Sequence, residues 1–188
     1  EYIPNKRFDF LFVGRLTSKA NIQLLIRALV FSKLNYKVNI LGNSQSNMKF
    51  FKNLADKNKV SERIIWHEFS SNEKEISNLF NNCRCFVYPG EVGLSIIHAM
   101  AYGLPAIIHN NHIHHNPEHY AFTNKLNGLY FEENNERSLS FIMDKLYSSS
   151  DTELEDYSKN SLKTIRKCFS IEKMVINFHN VIRDILKG

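Results

Sequence analysis

Short apolar runs alternate along the chain with longer stretches in which apolar positions recur every three or four residues, the periods of strands and helices. Residues 9–13, 37–41, 63–66, 85–88, 106–108 and 129–131 read as strands. Between them, 21–31 predicts a helix with Ile22, Leu25, Ile26 and Leu29 inward, and 47–58 an amphipathic helix. A helix over 72–80 is supported by an acidic first turn at Glu73 and Glu75. A short helix is expected near Pro117, because proline suits a first helical turn. Three helices follow the last strand, and the final one carries Ile171, Met174, Val175, Phe178, Ile182 and Ile185 on one stripe. This alternation predicts an α/β fold with a doubly wound parallel sheet. Without an internal repeat or a low-complexity linker, residues 1–188 read as one domain, including the C-terminal helices at 152–187.

The most informative stretch is 87–105, entered from the strand pattern at 85–88. Its strand pattern stops at Pro89-Gly90, a polar turn follows, and then comes a helix apolar nearly all round, closed by Gly103 and stopped by Pro105. Such a helix is expected to be covered on every side. Its N-terminus, opening at the carboxyl end of a parallel strand, would be an anion site, with glycines flanking the turn where backbone must approach a ligand. The alternative is a plain strand–turn–helix of the core.

The 43% hydrophobic content of 188 residues suffices for a full α/β core. The net charge of +5 suits an anionic partner: nucleic acid, an inner membrane surface or a nucleotide-sugar pool. No RNA-binding signature is present, and Lys52, Lys57 and Lys59 read as a solvated face. Cys83, Cys85 and Cys168 form no disulfide framework and read as buried thiols in a reducing cytosol, with Cys83 and Cys85 on one strand face. No signal peptide is legible, and no apolar run approaches the roughly 20 residues of a membrane span. The histidines 109, 112, 114, 115 and 119, with Asn110, Asn111 and Glu118, allow two readings. His115 and His119 have a metal-ligand spacing, but a helix beginning at Pro117 would leave His115 outside it. The other reading is a polar loop bordering a binding cleft.

The motifs are similar to those of a known family. Val92-Gly93-Leu94 followed by Ala99-Met100-Ala101-Tyr102-Gly103-Leu104-Pro105 resembles the signature of the retaining GT-B glycosyltransferases of the group 1, or family 4, type. Phe12-Val13-Gly14-Arg15-Leu16 resembles the family's opening strand and phosphate loop. Pro117-Glu118, Asn127-Gly128-Leu129-Tyr130-Phe131 and the final helix follow in the family's order. The resemblance covers almost the whole chain and corresponds to the Rossmann-like C-terminal half, which carries the donor. The N-terminal acceptor domain is absent, so the chain is expected to be an isolated domain or half of a split protein.

The resemblance implies a UDP-sugar or GDP-sugar donor and a metal-independent reaction without a cofactor. Gly14 and Arg15 would meet the donor diphosphate, where a planar guanidinium gives two charge-assisted bonds. The family's lysine position holds Ala20, so Lys19 is the nearest candidate. The family's second glutamate falls at His98, which could bond a ribose hydroxyl or be a packed core histidine. Its first falls at Gly90, with Glu91 one position late. Glu91 is thus a candidate catalytic group beside the sugar, with Arg15, or merely a favourable acid in the first helical turn. The backbone at Gly93 and Leu94 would approach the phosphates and sugar, and the base pocket would lie at 67–70, including Phe69.

The implied activity is transfer of a sugar with retention to a glycan or lipid-linked acceptor, in bacterial surface polysaccharide synthesis such as lipopolysaccharide or capsule. The implied location is cytoplasmic, with peripheral contact at the inner face of the membrane. Nucleic acid is not an expected partner. Rival readings are a non-catalytic pseudo-transferase that binds nucleotide or a partner subunit, and a basic RNA-binding domain resting on charge alone.

Overall fold

The computed structural model describes residues 8–42, 45–68, 70 and 72–186. Six strands form one parallel sheet: β1 (Phe8–Val13), β2 (Val38–Leu41), β3 (Ile64–His67), β4 (Cys83–Val87), β5 (Ala106–His109) and β6 (Gly128–Phe131). Their order is β3-β2-β1-β4-β5-β6, the doubly wound arrangement expected. The order reverses between β1 and β4, and the crevice outside their carboxyl ends is where such sheets bind ligands. Phe10, Leu11, Phe12, Cys85, Phe86 and Val87 are buried at the centre, because a parallel sheet is covered on both faces.

The helices are α1 (Ile22–Phe31), α2 (Gln45–Lys57), α3 (Glu73–Asn82), α4 (Leu94–Ala101), α5 (Glu136–Tyr147), α6 (Asp151–Cys168) and α7 (Ile171–Ile185). α1 packs on α2 and α5, and α4 packs on α6. The caps follow local chemistry. Asn72, Asn135, Ser150 and Ser170 each accept a backbone N–H of the first turn of α3, α5, α6 and α7. Gly103 ends α4 at φ 71°, a left-handed conformation that costs a side chain dearly and a glycine little.

Several expectations change. Arg63 lies in a 3-10 turn ahead of β3 and points back to donate to the Leu29 carbonyl at 2.7 Å. The helix near Pro117 is a 3-10 turn, Pro117–Ala121, and it leaves His115 outside, as expected. A further 3-10 turn, Ser18–Ala20, precedes α1 and joins it through Asn21 in a left-handed conformation. α4 is not covered on every side: Ile96, Ala99 and Met100 are buried, while Leu94 is 73% exposed and His98 and Ala101 are exposed. The helix packs on α6, on the Pro117–Ala121 turn and on β5. α7 carries the predicted apolar stripe, yet none of its residues is buried. Cys83 and Cys85 are buried, but Cys168, at the end of α6, is exposed. Among the described residues no helix is long and apolar enough to cross a membrane.

Candidate functional site

The β1–α1 loop and the turn after β4 meet at the switch point. Gly14 N–H donates to the Leu41 carbonyl at 3.1 Å, which continues the sheet one residue past β1 and releases Arg15 into solvent. After β4 the chain crosses close beneath the Ser18–Ala20 turn. A Cβ at Gly90 would stand 1.9 Å from the Lys19 carbonyl oxygen, so only glycine fits this crossing without moving backbone. Glu91 N–H donates to that carbonyl at 2.9 Å, and the Lys19 ammonium reaches the Glu91 carboxylate at 2.8 Å. α4 starts only at Leu94 and has no acid in its first turn, which removes the first-turn reading of Glu91.

Gly93, which has no side chain to cap with, stands at the N-cap of α4 with φ −135° and ψ −137°. The first N–H groups of the helix therefore keep the partial positive charge that favours anions. The preceding residue, Val92, is buried and held from both sides. His115 Nδ1 accepts its N–H at 3.2 Å, while its carbonyl accepts from Asn116 N–H at 3.0 Å and from Asn116 Nδ2 at 3.2 Å.

Val13, Gly14, Arg15, Ser70, Ile76 and His98 help line a cavity of about 260 Å³. His98 is exposed to it on one side. On the other its ring lies 4.7 Å from Phe80 and 5.5 Å from Tyr102, which themselves stack at 4.8 Å. The packed-core alternative for His98 therefore fails: its aromatic neighbours cover one side and leave the other open. A second cavity of about 270 Å³ shares Leu41, Ser70 and Ile76 with the first and adds His67, Glu68 and Glu75. There His67 Nε2 bonds the buried Asn39 side chain at 2.7 Å, and burial pushes the His67 imidazole below its ordinary pKa. This is the stretch expected to read a base. Phe69 lies outside the described residues.

A polar hollow of about 220 Å³ opens beside these, between Lys19, Glu91, His109, His114, Glu133 and Asn134. His109 is buried, and desolvation pushes its pKa down to about 4 despite Glu133 at 4.0 Å. His109 Nδ1 accepts the Asn111 N–H at 3.3 Å, which leaves its proton on Nε2, facing Glu133. Bonds from His114 and from Asn111, the latter at 2.8 Å, hold the Glu133 carboxyl below its ordinary range. The His115 ring stacks on His109 at 3.8 Å. Among the described residues no group of three or more His, Cys, Asp or Glu side chains is placed to hold a metal ion.

Of the residues singled out in the sequence, Gly14, Arg15 and His98 share the first cavity, and Lys19 and Glu91 share the hollow. Gly93 and Leu94 sit at the start of α4 and line neither. Sequence reasoning missed Glu133 and Asn116. Glu133 lies two residues past the end of the last strand, the only local hint it gave; Asn116 gave none. A strand-end guanidinium, an uncapped helix N-terminus and a histidine on an open face suit an anionic, hydroxyl-bearing ligand.

The model of the family "Glycosyl transferases group 1" matches residues 1–164. No curated protein matches the chain. Among solved structures, a glycosyltransferase of Rickettsia africae is 20% identical with TM-score 0.84, covering 98% of this chain and 49% of its own. The C-terminal domain of a glycosyl transferase group 1 family protein of Francisella tularensis is 18% identical, with TM-score 0.73 and 88% and 87% covered. A pneumococcal O-GlcNAc transferase solved with UDP and GlcNAc is 15% identical, with TM-score 0.76 and 97% and 37% covered. At these identities the likeness is one of fold. The chain spans about half the length of the Rickettsia protein.

Proposed function

The chain belongs to the group 1 glycosyl transferases, and we propose that it holds the diphosphate and ribose of a UDP-sugar or GDP-sugar while the sugar passes, with retention, to a glycan or lipid-linked acceptor. The observation that carries this reading is the cavity at the carboxyl ends of β1 and β2, walled by Arg15 on one loop and His98 on α4. Its fit to a nucleotide is supported by the pneumococcal relative, which was solved with UDP and GlcNAc.

The chemistry asked of the protein is electrostatic. As the bond from sugar to diphosphate breaks, negative charge grows on the phosphate oxygens. The Arg15 guanidinium and the uncapped start of α4 at Gly93 and Leu94 meet that charge without having to reorganise. His98 offers a donor and an acceptor to ribose hydroxyls. Lys19 and Glu91, paired across the hollow, can exchange their mutual bond for bonds to a phosphate and a sugar hydroxyl. No metal or other cofactor is assigned a part. The base enters the second cavity, where Glu68 and Ser70 supply polar groups.

The acceptor half, supplied by a further domain or subunit, would complete the cleft, so the 188-residue chain alone is expected to bind donor without transferring it. The assigned setting is bacterial surface polysaccharide synthesis at the cytoplasmic face of the inner membrane. One observation favours a second reading: Gly90 admits no side chain, so the acid of the family's first position cannot stand there. A pseudo-transferase that binds nucleotide would have the same cavity. Calorimetric titration with UDP, GDP and their sugars, with short RNA as control, tests the proposal. Micromolar to millimolar binding of one nucleotide family is expected. Heat from RNA alone, or from no nucleotide, overturns it.

A further inference from the structure

We propose that His115 and Asn116 are positioning residues for the nucleotide site, clamping the Val92 peptide groups so that the start of α4 faces the diphosphate. The inference rests on the nucleotide-binding reading above.

The turn at 88–93 has little to hold it locally. Its contacts come from far along the chain: Lys19 carbonyl on one side, and the 115–116 pair on the other, 23 and 24 residues away. The Val92 side chain is buried, and an unmet donor or acceptor on a buried peptide is costly. His115 meets the donor, and Asn116 meets the acceptor twice, from backbone and side chain. The clamp also comes up against Gly93. A Cβ there would press within 3.2 Å of Asn116 Nδ2, the atom that reaches the Val92 carbonyl.

The bonding pattern sets the His115 tautomer. Nδ1 must accept from Val92 N–H, and Nε2 therefore donates to the His109 carbonyl at 3.0 Å. Only the neutral ring can do both. A proton on Nδ1 would place two N–H groups nose to nose and release the turn. Burial disfavours that proton most, and His119 and His112 add to it, while the bond to the His109 carbonyl and Glu133 favour it. The balance holds His115 neutral below the ordinary histidine range. His109, stacked on His115, is itself acted on by His114, Glu133 and Glu91. Nucleotide affinity should therefore hold near neutral pH and drop once His115 takes up its proton.

Two variants separate positioning from bulk. His115→Asn places an oxygen near the Nδ1 position and cannot titrate, whereas His115→Leu keeps volume and removes the acceptor. Two measurements on the whole chain are needed: amide hydrogen exchange at Val92 without ligand, and calorimetric titration with UDP and GDP from pH 7.5 down to 5. Exchange at Val92 should speed about tenfold in His115→Leu, the loss of one hydrogen bond, and stay slow in His115→Asn. Affinity for the bound nucleotide should fall by a similar factor in the leucine variant only, and the acid loss seen in the parent should vanish in the asparagine variant. Equal exchange in all three proteins overturns the clamp. Altered exchange with unchanged affinity overturns its role in the site. If the parent binds neither nucleotide, the functional reading fails and the role in the site fails with it, while exchange still decides whether the clamp exists.

Discussion

Glu91 and Lys19 are joined twice, by a backbone bond of 2.9 Å from the Glu91 N–H to the Lys19 carbonyl and by a side-chain ion pair at 2.8 Å. The first bond ties the turn after β4 to the loop after β1. The second places an acid and a base on the rim of the polar hollow, where Lys19 is 73% exposed. An exposed pair of this kind contributes about 0–1 kcal/mol to stability, so its interest lies in ligand contact rather than in folding. The backbone bond is the structural one, and Gly90 makes it geometrically attainable.

Gly90→Ala should therefore disturb fold and site together. A methyl group 1.9 Å from the Lys19 carbonyl must displace backbone rather than a flexible side chain. Strain of this kind costs about 1–3 kcal/mol. Denaturant unfolding should show that loss, with a lowered midpoint and an unchanged slope. A midpoint equal to the parent's would mean that the two loops move apart freely.

Arg15→Ala removes the one strand-end guanidinium on the first cavity. Loss of a charge-assisted contact should weaken nucleoside diphosphate binding by about 1.5–3 kcal/mol. Arg15 is exposed and Tyr88 lies beneath the loop, so stability should change little. Equal affinity of parent and variant in calorimetry removes Arg15 from the site.

Much of this was legible in the sequence because the signals are local. The strand ending at Val13, the stop at Gly103 and the acidic first turn of α3 at Glu73 and Glu75 all follow from spacing and from residue chemistry within one turn. Arg15 and His98 were found by motif position, and both line the first cavity. What was not legible depends on chain segments brought together by the fold. Nothing near Gly90 in sequence announces the Lys19 carbonyl above it. The bond from Val92 to His115 spans 23 residues, and a cluster of five histidines reads as metal or loop until the tautomers are fixed by partners. Periodicity likewise makes α4 look enclosed, since it reports apolar character and not which neighbours are present.

Acid should destabilise the fold through His109. Its pKa is about 4 in the folded chain, against 6.5 ordinarily, so as pH falls the unfolded chain takes up the proton first. The stability of the neutral ring is complete above about 6.5 and drains away down to about 4, at most about 3 kcal/mol in all. His115 and His67 are shifted the same way and add to the loss. Glu133, lowered from 4.5, withdraws its contribution only as pH falls below about 4.5. Chemical denaturation at pH 7 and pH 5 should differ by about 2 kcal/mol for the parent, and by clearly less for His109→Gln. Parallel pH profiles would mean that His109 is charged in the folded state.

Ending the chain after Phe169 should barely lower its stability. No α7 residue is buried, although Ile171, Met174, Phe178 and Ile185 are each more than 60% exposed. Removal of surface that is not packed costs little burial energy and takes away apolar area that favours association. The truncated chain should melt within a few degrees of the parent and sediment with less concentration dependence. A large drop in melting temperature would show that α7 stabilises the fold through α6.

His98 gives the sharpest comparison, because two variants distinguish a ribose contact from a packing role. His98→Gln keeps a donor and an acceptor on the cavity wall, and His98→Leu keeps only apolar bulk against Phe80 and Tyr102. The ring is exposed on its cavity side, so leucine leaves no buried polar atom unpaired and should fold as well as the parent. If His98 bonds ribose hydroxyls, nucleotide affinity should fall by about 1 kcal/mol more in the leucine variant than in the glutamine variant, the usual net worth of one hydrogen bond. A ring that merely completes the Phe80–Tyr102 stack would give the opposite order, since leucine replaces its contacts better than glutamine does. Titration of UDP and GDP into both variants, with melting temperatures measured alongside, reads the order directly. Leucine binding as tightly as the parent would take His98 out of the nucleotide site.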